Sequence, residues 1–416
     1  MTFIYRYLED EIKDALEFMR VVAIVGARQV GKSTLAKNIA GDKMTYVTLD
    51  DTGKLQAALS DPIGFIKNLK RPTIIDEIQR APELIKAIKV EVDNSNHPGQ
   101  FLLTGSTNIL NLPTLADSLA GRMIVRELHP LAQFELSYSS KLATSSTFLS
   151  SAFSHNPSFK YQPLSQEKLI DLVLCGGYPE ALSLSETRRI TWHNAYLKSI
   201  IERDIKEVVQ INKTSELAKL TRIIASLSSQ EINLASISRQ LQLDQKSIAK
   251  YIASLEKIYL IKQIPCWHRN ELKRVVKKSK VHFLDSGLLA SIRRINKTKI
   301  AKNRELLGSL LETFVFCELL KISHNTTIDG IKETYNIHHY RDTRKNEVDF
   351  VVENADGQAI GIEVKATQTA SDKHFANLIK LAKYTELKAG IVIYTGEDFL
   401  SFGKSLYAVP ISALFE

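Results

Sequence analysis

The sequence predicts an α/β protein with more than one domain. In the first third of the chain, short apolar runs typical of strands alternate with amphipathic segments, which indicates strands and helices layered in one domain. Strand-like runs return near the end of the chain, after a middle region with a mainly helical pattern. A chain of 416 residues is long enough for roughly two to four domains, each with its own core.

The composition is that of a folded protein with a basic surplus. Hydrophobic residues make up 44% of the chain and charged residues 24%, which excludes wholesale disorder. Lys and Arg outnumber Asp and Glu by 55 to 46, so the net charge of +9 favours nucleic acid or an anionic membrane as a partner. The sequence has no apolar run of membrane-spanning length, no signal-peptide pattern, and three scattered cysteines that form no disulfide framework. We therefore expect a cytoplasmic protein that does not enter a membrane.

Changes of pattern along the chain predict four regions. The candidate strands of the first are Val21–Gly26, Thr45–Leu49, Thr73–Asp76, Phe101–Thr104 and Met123–Leu128. The stretch from Ser137 to Ser158 is rich in Ser and Thr, which predicts a long loop or disordered insertion. The predicted boundaries are 1–135 for the first α/β domain, 136–212 for the insertion and a helical segment, 213–298 for a winged helix, and 299–416 for the second α/β domain.

A complete phosphate-binding motif follows the first strand. The G-x-x-x-x-G-K-[ST] pattern is filled by Gly26, Ala27, Arg28, Gln29, Val30, Gly31, Lys32 and Ser33, and Thr34 continues into a helical segment. Glycines let backbone N–H groups turn towards phosphates, and the helix N-terminus adds positive potential. Lys32 is placed to reach the β- and γ-phosphates, and Ser33 to bind Mg²⁺. We expect residues 26–34 to bind ATP with Mg²⁺.

Two carboxylates end the third candidate strand. Asp76 and Glu77 follow the apolar residues Ile74 and Ile75. Beside a phosphate loop, Asp76 is expected to hold Mg²⁺ and Glu77 to polarise the attacking water as a general base. Both roles require the third strand to end close to Ser33.

The chain resembles a widespread prokaryotic family of predicted AAA+ ATPases that carry a winged helix and a C-terminal domain long labelled as of unknown function. The motifs behind this resemblance occur in the family's order, as Ile75-Asp76-Glu77-Ile78-Gln79-Arg80-Ala81-Pro82, Leu103-Thr104-Gly105-Ser106, Leu119-Ala120-Gly121-Arg122 and Gly176-Gly177-Tyr178-Pro179. The resemblance implies an AAA+ P-loop ATPase core with a helical lid. It also implies self-association into a ring, with a hexamer expected.

The resemblance assigns three further roles near the nucleotide. Either Thr104 or Ser106 is the polar sensor at the end of the fourth strand. Arg122 is placed to reach the nucleotide of a neighbouring subunit, although an arginine that caps a helix end would also fit. Arg203 is a candidate second sensor from the lid, with a surface ion pair as the alternative.

Residues 217–264 predict a winged helix. Helix caps at Asn233 and Asp244 precede a short helix, Leu234–Leu241, and a longer one, Gln245–Lys257, which is the helix-turn-helix pattern. Two strand-like runs, Tyr259–Ile264 and Lys280–Leu284, suit the wing. The expected DNA contacts are Gln245, Lys246 and Lys250 on the longer helix and Arg269, Lys273, Arg274, Lys277, Lys278 and Lys280 around the wing. A winged helix that binds only protein is the alternative.

Three acids and a lysine in the last region resemble the PD-(D/E)xK nuclease core. Glu363 and Lys365 stand two apart in a strand and share one face, and Asp349 lies on the preceding strand. Asp349 and Glu363, with Glu312 from the preceding helix, are expected to hold Mg²⁺, while Lys365 activates water. A structural ion cluster in a nuclease-like fold that no longer cuts is the alternative.

These patterns together predict an ATP-hydrolysing motor or remodeller that acts on DNA, including branched DNA in repair or recombination. Two other functions stay open at this point. One is a metal-dependent DNA endonuclease gated by ATP, and the other is an ATP-dependent switch or scaffold that binds a protein partner. The nature of the DNA-binding surface and of the acidic cluster distinguishes the three.

Overall fold

The computed structural model describes residues 3–106, 119–137, 147–209, 214–270, 274, 277–324, 327–328, 331–332 and 334–416. The first domain is built on a parallel sheet of five described strands. These are β1 (Val21–Val25), β2 (Thr45–Thr48), β3 (Thr73–Asp76), β4 (Phe101–Gly105) and β5 (Met123–Glu127), in the order β2-β3-β4-β1-β5. Since β4 lies between β1 and β3, its carboxyl end separates the phosphate loop from the Asp76–Glu77 pair.

Helices pack on the faces of this sheet because its central strands are buried on both sides. They are α1 (Leu8–Phe18), α2 (Lys32–Ala40), α3 (Thr52–Ser60), α4 (Pro62–Lys67) and α5 (Leu84–Asn94). The five candidate strands predicted from the sequence are all present, within one or two residues of their expected ends. An α/β first domain with a parallel sheet is therefore confirmed.

A helical region follows. Its described helices are α6 (Gln133–Ser137), α7 (Phe148–Phe153), α8 (Gln166–Cys175), α9 (Pro179–Leu182) and α10 (Glu186–Val209). The expectation of a structureless loop between Ser137 and Ser158 is wrong for its second half. Phe148 and Leu149 of α7 are buried, and the Phe148 ring packs against Phe159 at a tilt, because three apolar side chains share one face of this short helix. The first half of the stretch, residues 138–146, lies outside the described residues.

The region that the sequence predicts to be a winged helix has the predicted helices and strands. These are α11 (Thr214–Ser226), β6 (Gln230–Glu231), α12 (Leu234–Leu241), α13 (Gln245–Lys257), β7 (Ile261–Ile264) and β8 (Lys280–Phe283). The side chains of Asn233 and Asp244 accept hydrogen bonds from the backbone N–H groups of Ser236 and Ser247, so both predicted caps are confirmed. The strands form an antiparallel sheet in the order β6-β8-β7.

The last region is a mixed sheet with a central helix. Two helices, α14 (Ser286–Ile292) and α15 (Lys297–Lys302), lead into it from the preceding region, and its own described α-helices are α16 (Glu305–Ser323) and α17 (Ala376–Ala382). Its described strands are β9 (Thr327–Ile328), β10 (Ile331–Lys332), β11 (Asn336–Arg341), β12 (Glu347–Glu353), β13 (Ala359–Lys365), β14 (Leu387–Tyr394), β15 (Leu400–Ser401) and β16 (Leu406–Pro410). The main sheet has the order β11-β12-β13-β14-β16-β15, with β13, β14 and β16 parallel.

The regions share a large hydrophobic core, and a second, smaller cluster of buried side chains includes Trp267, Tyr340 and Phe375. Buried apolar side chains from Tyr7 near the start of the chain to Phe415 near its end form a continuous cluster. Helix α16 is buried almost all round and contacts α8, α14, β8 and β13, which accounts for its run of apolar residues. The described part of the chain contains no helix with the length and apolar character needed to cross a bilayer.

Candidate functional site

The phosphate loop connects β1 to α2 in a backbone conformation that needs its glycines. Gly26 and Gly31 have φ angles of 145° and 97°, in the region that side chains disfavour. A Cβ atom on Gly26 would also lie 2.2 Å from the carbonyl oxygen of Leu128. Lys32 is buried at the start of α2, and its Nζ donates to the carbonyl oxygens of Gly26 (3.0 Å) and Ala27 (2.7 Å). The lysine is therefore held within the loop that the sequence assigns to phosphates.

The remaining predicted positions of the loop differ in exposure. Ala27 and Val30 are buried and anchor the loop to the core, whereas Gln29 and Thr34 are exposed and Arg28 and Ser33 are half-buried. Gln29 has a φ angle of 62°, so it completes the turn with its backbone. The exposed positions leave the loop open on its solvent side.

Asp76 meets the phosphate loop through a hydroxyl. The Ser33 Oγ donates to Asp76 Oδ1 at 2.7 Å, and the Tyr46 hydroxyl donates to Asp76 Oδ2 at 2.6 Å. The Thr104 hydroxyl, from the end of β4, also donates to Asp76 Oδ1. A hydroxyl and a carboxylate side by side are oxygen ligands of the kind that Mg²⁺ prefers, so these residues fit the expected metal–nucleotide complex. Burial, and then Asp76, raise the pKa of Tyr46, which keeps this phenol a donor.

Glu77 follows β3 with a left-handed backbone, at a φ angle of 59°. Its backbone N–H donates to Thr104 Oγ1 at 3.2 Å, and its carboxylate accepts a hydrogen bond from the Gln79 side chain. The same Gln79 amide donates to Ser106 Oγ at 2.9 Å. Thr104 thus contacts Asp76 and Glu77 directly, whereas Ser106 reaches Glu77 through Gln79.

Three residues of this site were missed from the sequence, namely Gln79, Tyr46 and Arg6. Buried Arg6 donates to Glu135 Oε1 (2.9 Å), to the Val30 carbonyl (2.7 Å) and to the His129 carbonyl (2.7 Å). Arg6 therefore connects the phosphate loop to the segment after β5 by hydrogen bonds. Only Gln79 had a sequence signal, since it lies two residues after Glu77 in the same motif.

A mainly apolar cavity of about 690 Å³ opens beside the phosphate loop. Its walls come from the N-terminal segment, α2 and the Tyr178–Pro179 turn, and it is lined by Phe3, Ile4, Arg6, Val30, Gly31, Thr34, Leu35, Leu131, Pro179, Leu182 and Ser183. A base or other flat apolar group suits such a surface. The Tyr196 hydroxyl of α10 donates to the Arg28 carbonyl at 3.1 Å, so the helical region also contacts the loop.

The two arginines implied by the resemblance have different surroundings. Arg122 precedes β5, where its side chain pairs with Asp93 and donates to the Ala120 carbonyl at 3.1 Å. The hydrogen bond from Arg122 lowers the pKa of Asp93. These contacts lie within one chain, so the role of Arg122 at a neighbouring nucleotide stays a prediction. Arg203 lies in α10, and its side chain is outside the described residues.

The C-terminal acids come together as the spacing predicts. Asp349 Oδ2 accepts a hydrogen bond from the Val364 backbone at 2.8 Å, and Lys365 Nζ lies 2.5 Å from Glu363 Oε2. Burial, followed by the nearby Asp349 charge, raises the pKa of Glu363 to about 7 and that of Glu312 to about 8. Among the described residues, no group of three or more His, Cys, Asp or Glu side chains is arranged to hold a metal ion.

A lysine that we expected on the DNA-binding wing lies in this acidic cluster. Lys280 is buried, and its Nζ lies 2.6 Å from Glu312, 2.8 Å from Glu347 and 3.6 Å from Asp349. The expectation that Lys280 contacts DNA from the wing is therefore wrong. Three carboxylates stabilise its ammonium group in a place that no phosphate can reach in this structure.

The connection between β7 and β8 packs on the second α/β domain. The Trp267 backbone N–H donates to the His339 carbonyl at 2.6 Å, and His339 donates back to Pro265. Arg274 makes a bidentate pair with Glu353 (2.7 and 3.3 Å), and Lys277 Nζ donates to the Arg341 carbonyl at 3.3 Å. The expectation that Arg274 and Lys277 are free for DNA is corrected, because both are engaged within the chain.

The other predicted DNA contacts divide into exposed and undescribed residues. Arg269 and Lys278 are exposed on the connection, and Gln245, Lys246 and Lys250 are exposed on α13. Lys273 lies outside the described residues. Among the described residues, the predicted DNA contacts that are exposed therefore lie both on α13 and on the β7–β8 connection.

Comparisons with known proteins agree with the class indicated by this geometry. Residues 19–137 match the family model described as an AAA domain. Residues 166–299 match a domain of unknown function (DUF8612), and residues 307–414 match another (DUF4143). The match and the phosphate-loop geometry together make the N-terminal region an AAA domain of the P-loop ATPase type.

Relatives of nearly full length carry no assigned function. Uncharacterized proteins of Mycobacterium tuberculosis and Mycobacterium bovis are each 25% identical to this chain over 403 residues, which cover 96% of this chain and 82% of the relative. Among solved structures, the Walker-type ATPase of Pyrococcus abyssi is 14% identical, with a TM-score of 0.42, and the match covers 70% of this chain and 96% of that one. A signal transduction ATPase of Pyrococcus horikoshii with a tetratricopeptide repeat sensor is 15% identical, with a TM-score of 0.26, over 76% of this chain and 45% of that one.

Proposed function

We propose that this chain hydrolyses ATP at the AAA domain and uses the winged helix to act on DNA as a motor or remodeller. The contact between Ser33 and Asp76 supports the first half of this proposal, because it puts a hydroxyl and a carboxylate at the mouth of the phosphate loop. Mg²⁺ supplies charge neutralisation on the phosphates when it is bound with ATP. Lys32 binds the phosphates, Asp76 and Ser33 hold the metal, and Glu77 takes the proton of the attacking water.

Thr104 is the sensor in this proposal. Its hydroxyl donates a hydrogen bond to Asp76 and accepts one from the Glu77 backbone N–H. In this proposal, a change in the position of Asp76, the metal ligand, therefore changes the position of Glu77, the base, through the Thr104 side chain. Ser106 has no such direct contact in this proposal and reaches Glu77 only through the Gln79 amide, which donates to the Ser106 hydroxyl. Gln79 also holds the Glu77 carboxylate, which makes it a positioning residue for the base.

The exposed face of α13 supports the second half. Its buried side carries Ile248, Tyr251, Ile252 and Leu255, whereas its outer side carries Gln245, Lys246, Ala249, Lys250 and Ala253. Small alanine side chains beside the two lysines let a helix approach a groove closely while the ammonium groups reach the backbone phosphates. Gln245 on this face has a side-chain amide of the kind that forms hydrogen bonds with base edges.

DNA binding as a function of salt tests this surface. Replacing Lys246 and Lys250 with alanine removes two phosphate contacts, so the slope of log K against log salt should flatten by about two units. The matched control replaces Lys67 and Lys70, two exposed lysines of the AAA domain, and should keep the wild-type slope. Binding is measured with single-stranded, duplex and junction DNA, with and without ATP. A slope unchanged by the α13 variant would overturn the proposed surface, and wild-type protein without DNA affinity would favour a protein partner.

A metal-dependent DNA endonuclease is the second candidate. The observation that favours it is the convergence of Asp349 with the Glu363–Lys365 pair at one end of β12 and β13. Cleavage of duplex or branched DNA in Mn²⁺ should then be lost in Lys365→Ala and kept in Lys388→Ala, an exposed lysine of the same domain. Equal cleavage by both variants would exclude Lys365 as the group that activates water.

A further inference from the structure

Two carbonyl groups of the phosphate loop accept hydrogen bonds from side chains that lie far away in the sequence. The Tyr196 hydroxyl of α10 donates to the Arg28 carbonyl at 3.1 Å. Arg6, from the N-terminal segment, donates to the Val30 carbonyl at 2.7 Å. Both donors are buried, so they reach the loop from the protein interior. The conformation of the loop therefore depends on residues outside the motif itself.

Each of these hydrogen bonds holds one peptide group of the loop. A trans peptide group is planar, with its carbonyl and its N–H on opposite sides, so a held carbonyl also sets the direction of the N–H that follows it. The Arg28 carbonyl shares a peptide group with the Gln29 N–H. In the same way, the Val30 carbonyl shares one with the Gly31 N–H. Since phosphate loops bind phosphates through backbone N–H groups that turn inward, the two side chains orient groups that the nucleotide needs.

Gln29 needs such support more than Gly31 does. Both have positive φ angles, 62° for Gln29 and 97° for Gly31. Glycine adopts this conformation readily, whereas a residue with a Cβ atom rarely does and keeps it only where surrounding contacts hold it. The hydrogen bond from Tyr196 to the peptide group that precedes Gln29 is such a contact. Its loss would allow the Arg28–Gln29 peptide group to turn before a nucleotide binds.

A second hydroxyl orients the first. The hydroxyl oxygens of Tyr178 and Tyr196 lie 2.9 Å apart. Because the single hydroxyl proton of Tyr196 is directed at the Arg28 carbonyl, Tyr178 is the donor between the two. Burial raises the pKa of Tyr178, so this phenol keeps the proton that it donates. The Tyr196 ring is itself stacked on Trp192, with an angle of 7° between the ring planes. The hydroxyl pair therefore has one direction, from Tyr178 towards the phosphate loop.

The turn that carries Tyr178 is fixed on both sides. The Gly177 N–H donates to Asp285 Oδ2 at 2.7 Å, and the Leu131 N–H donates to the Gly177 carbonyl at 2.7 Å. A Cβ atom on Gly177 would lie 2.2 Å from the Leu131 carbonyl oxygen. A Cβ atom on Gly176 would lie 2.3 Å from Asp285 Oδ1. The two glycines before Tyr178 thus allow an approach that no other residue could make, and this approach places the tyrosine.

We propose that Tyr196 is a positioning residue for nucleotide binding, which acts through the Arg28–Gln29 peptide group, and that Tyr178 orients its hydroxyl. The helical region thereby sets how well the phosphate loop binds phosphate. This role rests on ATP binding by the AAA domain, the first part of the proposed function, but it requires neither hydrolysis nor DNA. A shift of α10 away from the loop would release the peptide group and lower nucleotide affinity.

ATP affinity of the full-length chain tests this role. Tyr196→Phe removes the hydroxyl and keeps the ring that stacks on Trp192. Fewer molecules then hold the Arg28–Gln29 peptide group ready for phosphate, and the apparent dissociation constant rises as that fraction falls. We expect it to increase roughly threefold to tenfold, the effect of one neutral hydrogen bond. Tyr384→Phe, at an exposed tyrosine of the second α/β domain, is the matched control and should bind ATP as the wild type does.

Kinetics separate positioning from chemistry. Saturating ATP selects the molecules whose loop is ready, so Tyr196→Phe should raise KM and leave kcat near the wild-type value. Affinity is the main readout because it does not depend on turnover, which distinguishes a failure of the proposed hydrolysis from a failure of this role. A Tyr196→Phe protein with wild-type ATP affinity would overturn the proposal.

A double-mutant cycle tests the part played by Tyr178. Tyr178→Phe alone should weaken ATP binding by less than Tyr196→Phe does, because it removes only the bond that orients the second hydroxyl. Combined with Tyr196→Phe it should cause no further loss, since its acceptor is already absent. Losses that add in the double variant would contradict the action of Tyr178 through Tyr196. If the two tyrosines only support the fold, both variants melt at a lower temperature without nucleotide while their ATP affinity stays that of the wild type, which also rejects the proposal.

Discussion

At the scale of single residues, Glu77 is held in place by two neighbouring side chains of the nucleotide site. Its left-handed backbone ends β3 and leads directly into the short helical turn Ile78–Arg80. The Gln79 amide then holds the carboxylate, and the Thr104 hydroxyl holds the backbone. A residue fixed at both ends is suited to orient one water molecule.

We predict that Glu77→Gln keeps ATP binding and slows hydrolysis by about 100-fold, because the amide keeps the shape of the side chain and cannot accept the proton. Lys32→Ala should instead weaken nucleotide binding, since it removes a phosphate contact. Nucleotide affinity and steady-state hydrolysis, measured on both variants, separate the two roles. Glu83→Gln, an exposed glutamate nearby, is the control. Wild-type hydrolysis by Glu77→Gln would show that another group is the base.

The backbone arrangement of the phosphate loop could be predicted from the sequence because its motif is local. A phosphate loop, the strand before it and the helix after it occupy consecutive residues, so the sequence alone places Lys32 and Ser33. The pairing of Ser33 with Asp76 depends on strand order, because β1 and β3 both lie next to β4 in the sheet. Arg6 could not be found in the same way, since its three partners lie in Val30, His129 and Glu135 and no short-range pattern connects them.

At the scale of elements, the β7–β8 connection is the clearest difference between sequence and structure. Basic residues in a wing are typical of a DNA-binding surface, yet here two of them hold the wing against the second α/β domain. Arg274 lies over the Trp267 ring as well as against Glu353, and Trp267 itself is buried. Charge counted along the chain does not reveal which basic side chains have acidic partners in another domain.

This arrangement predicts that replacing two neighbouring basic residues changes the stability of the protein by different amounts. Arg274→Ala should lower the free energy of unfolding by about 1–3 kcal/mol, because it leaves the mostly buried Glu353 without its partner. For DNA binding by this variant, the slope of log K against log salt should stay as in the wild type. Lys278→Ala, on an exposed side chain, should change stability by less than about 0.5 kcal/mol. Denaturant unfolding and DNA titration of the two variants provide the test, and a stable Arg274→Ala protein with a flattened salt slope would return this residue to the DNA surface.

At the scale of the whole molecule, the domains are joined by buried polar contacts as well as by a common core. Glu318 of α16 accepts the Gln133 backbone N–H at 2.8 Å, and Lys321 donates to the Leu131 carbonyl at 3.1 Å. Leu131 in turn pairs with Gly177, whose N–H donates to Asp285 at the start of α14. The segment after β5 therefore contacts the phosphate loop through Arg6, the helical region, and the second α/β domain within a few residues.

The predicted self-association gives Arg122 a role that can be tested. Arg122 is one-third exposed and bonded to Asp93, so to reach a neighbouring nucleotide it has to exchange that partner for a phosphate. We predict that Arg122→Ala keeps ATP binding but loses most hydrolysis, and that Asp93→Asn, which frees the arginine, does not. Mixing Arg122→Ala with Lys32→Ala protein should restore part of the activity, because one interface in the mixed assembly has both Lys32 and Arg122 intact. Hydrolysis measured across mixing ratios gives the answer. If Arg122 only supports the fold, its loss lowers the melting temperature together with activity, and no ratio of the two variants restores hydrolysis.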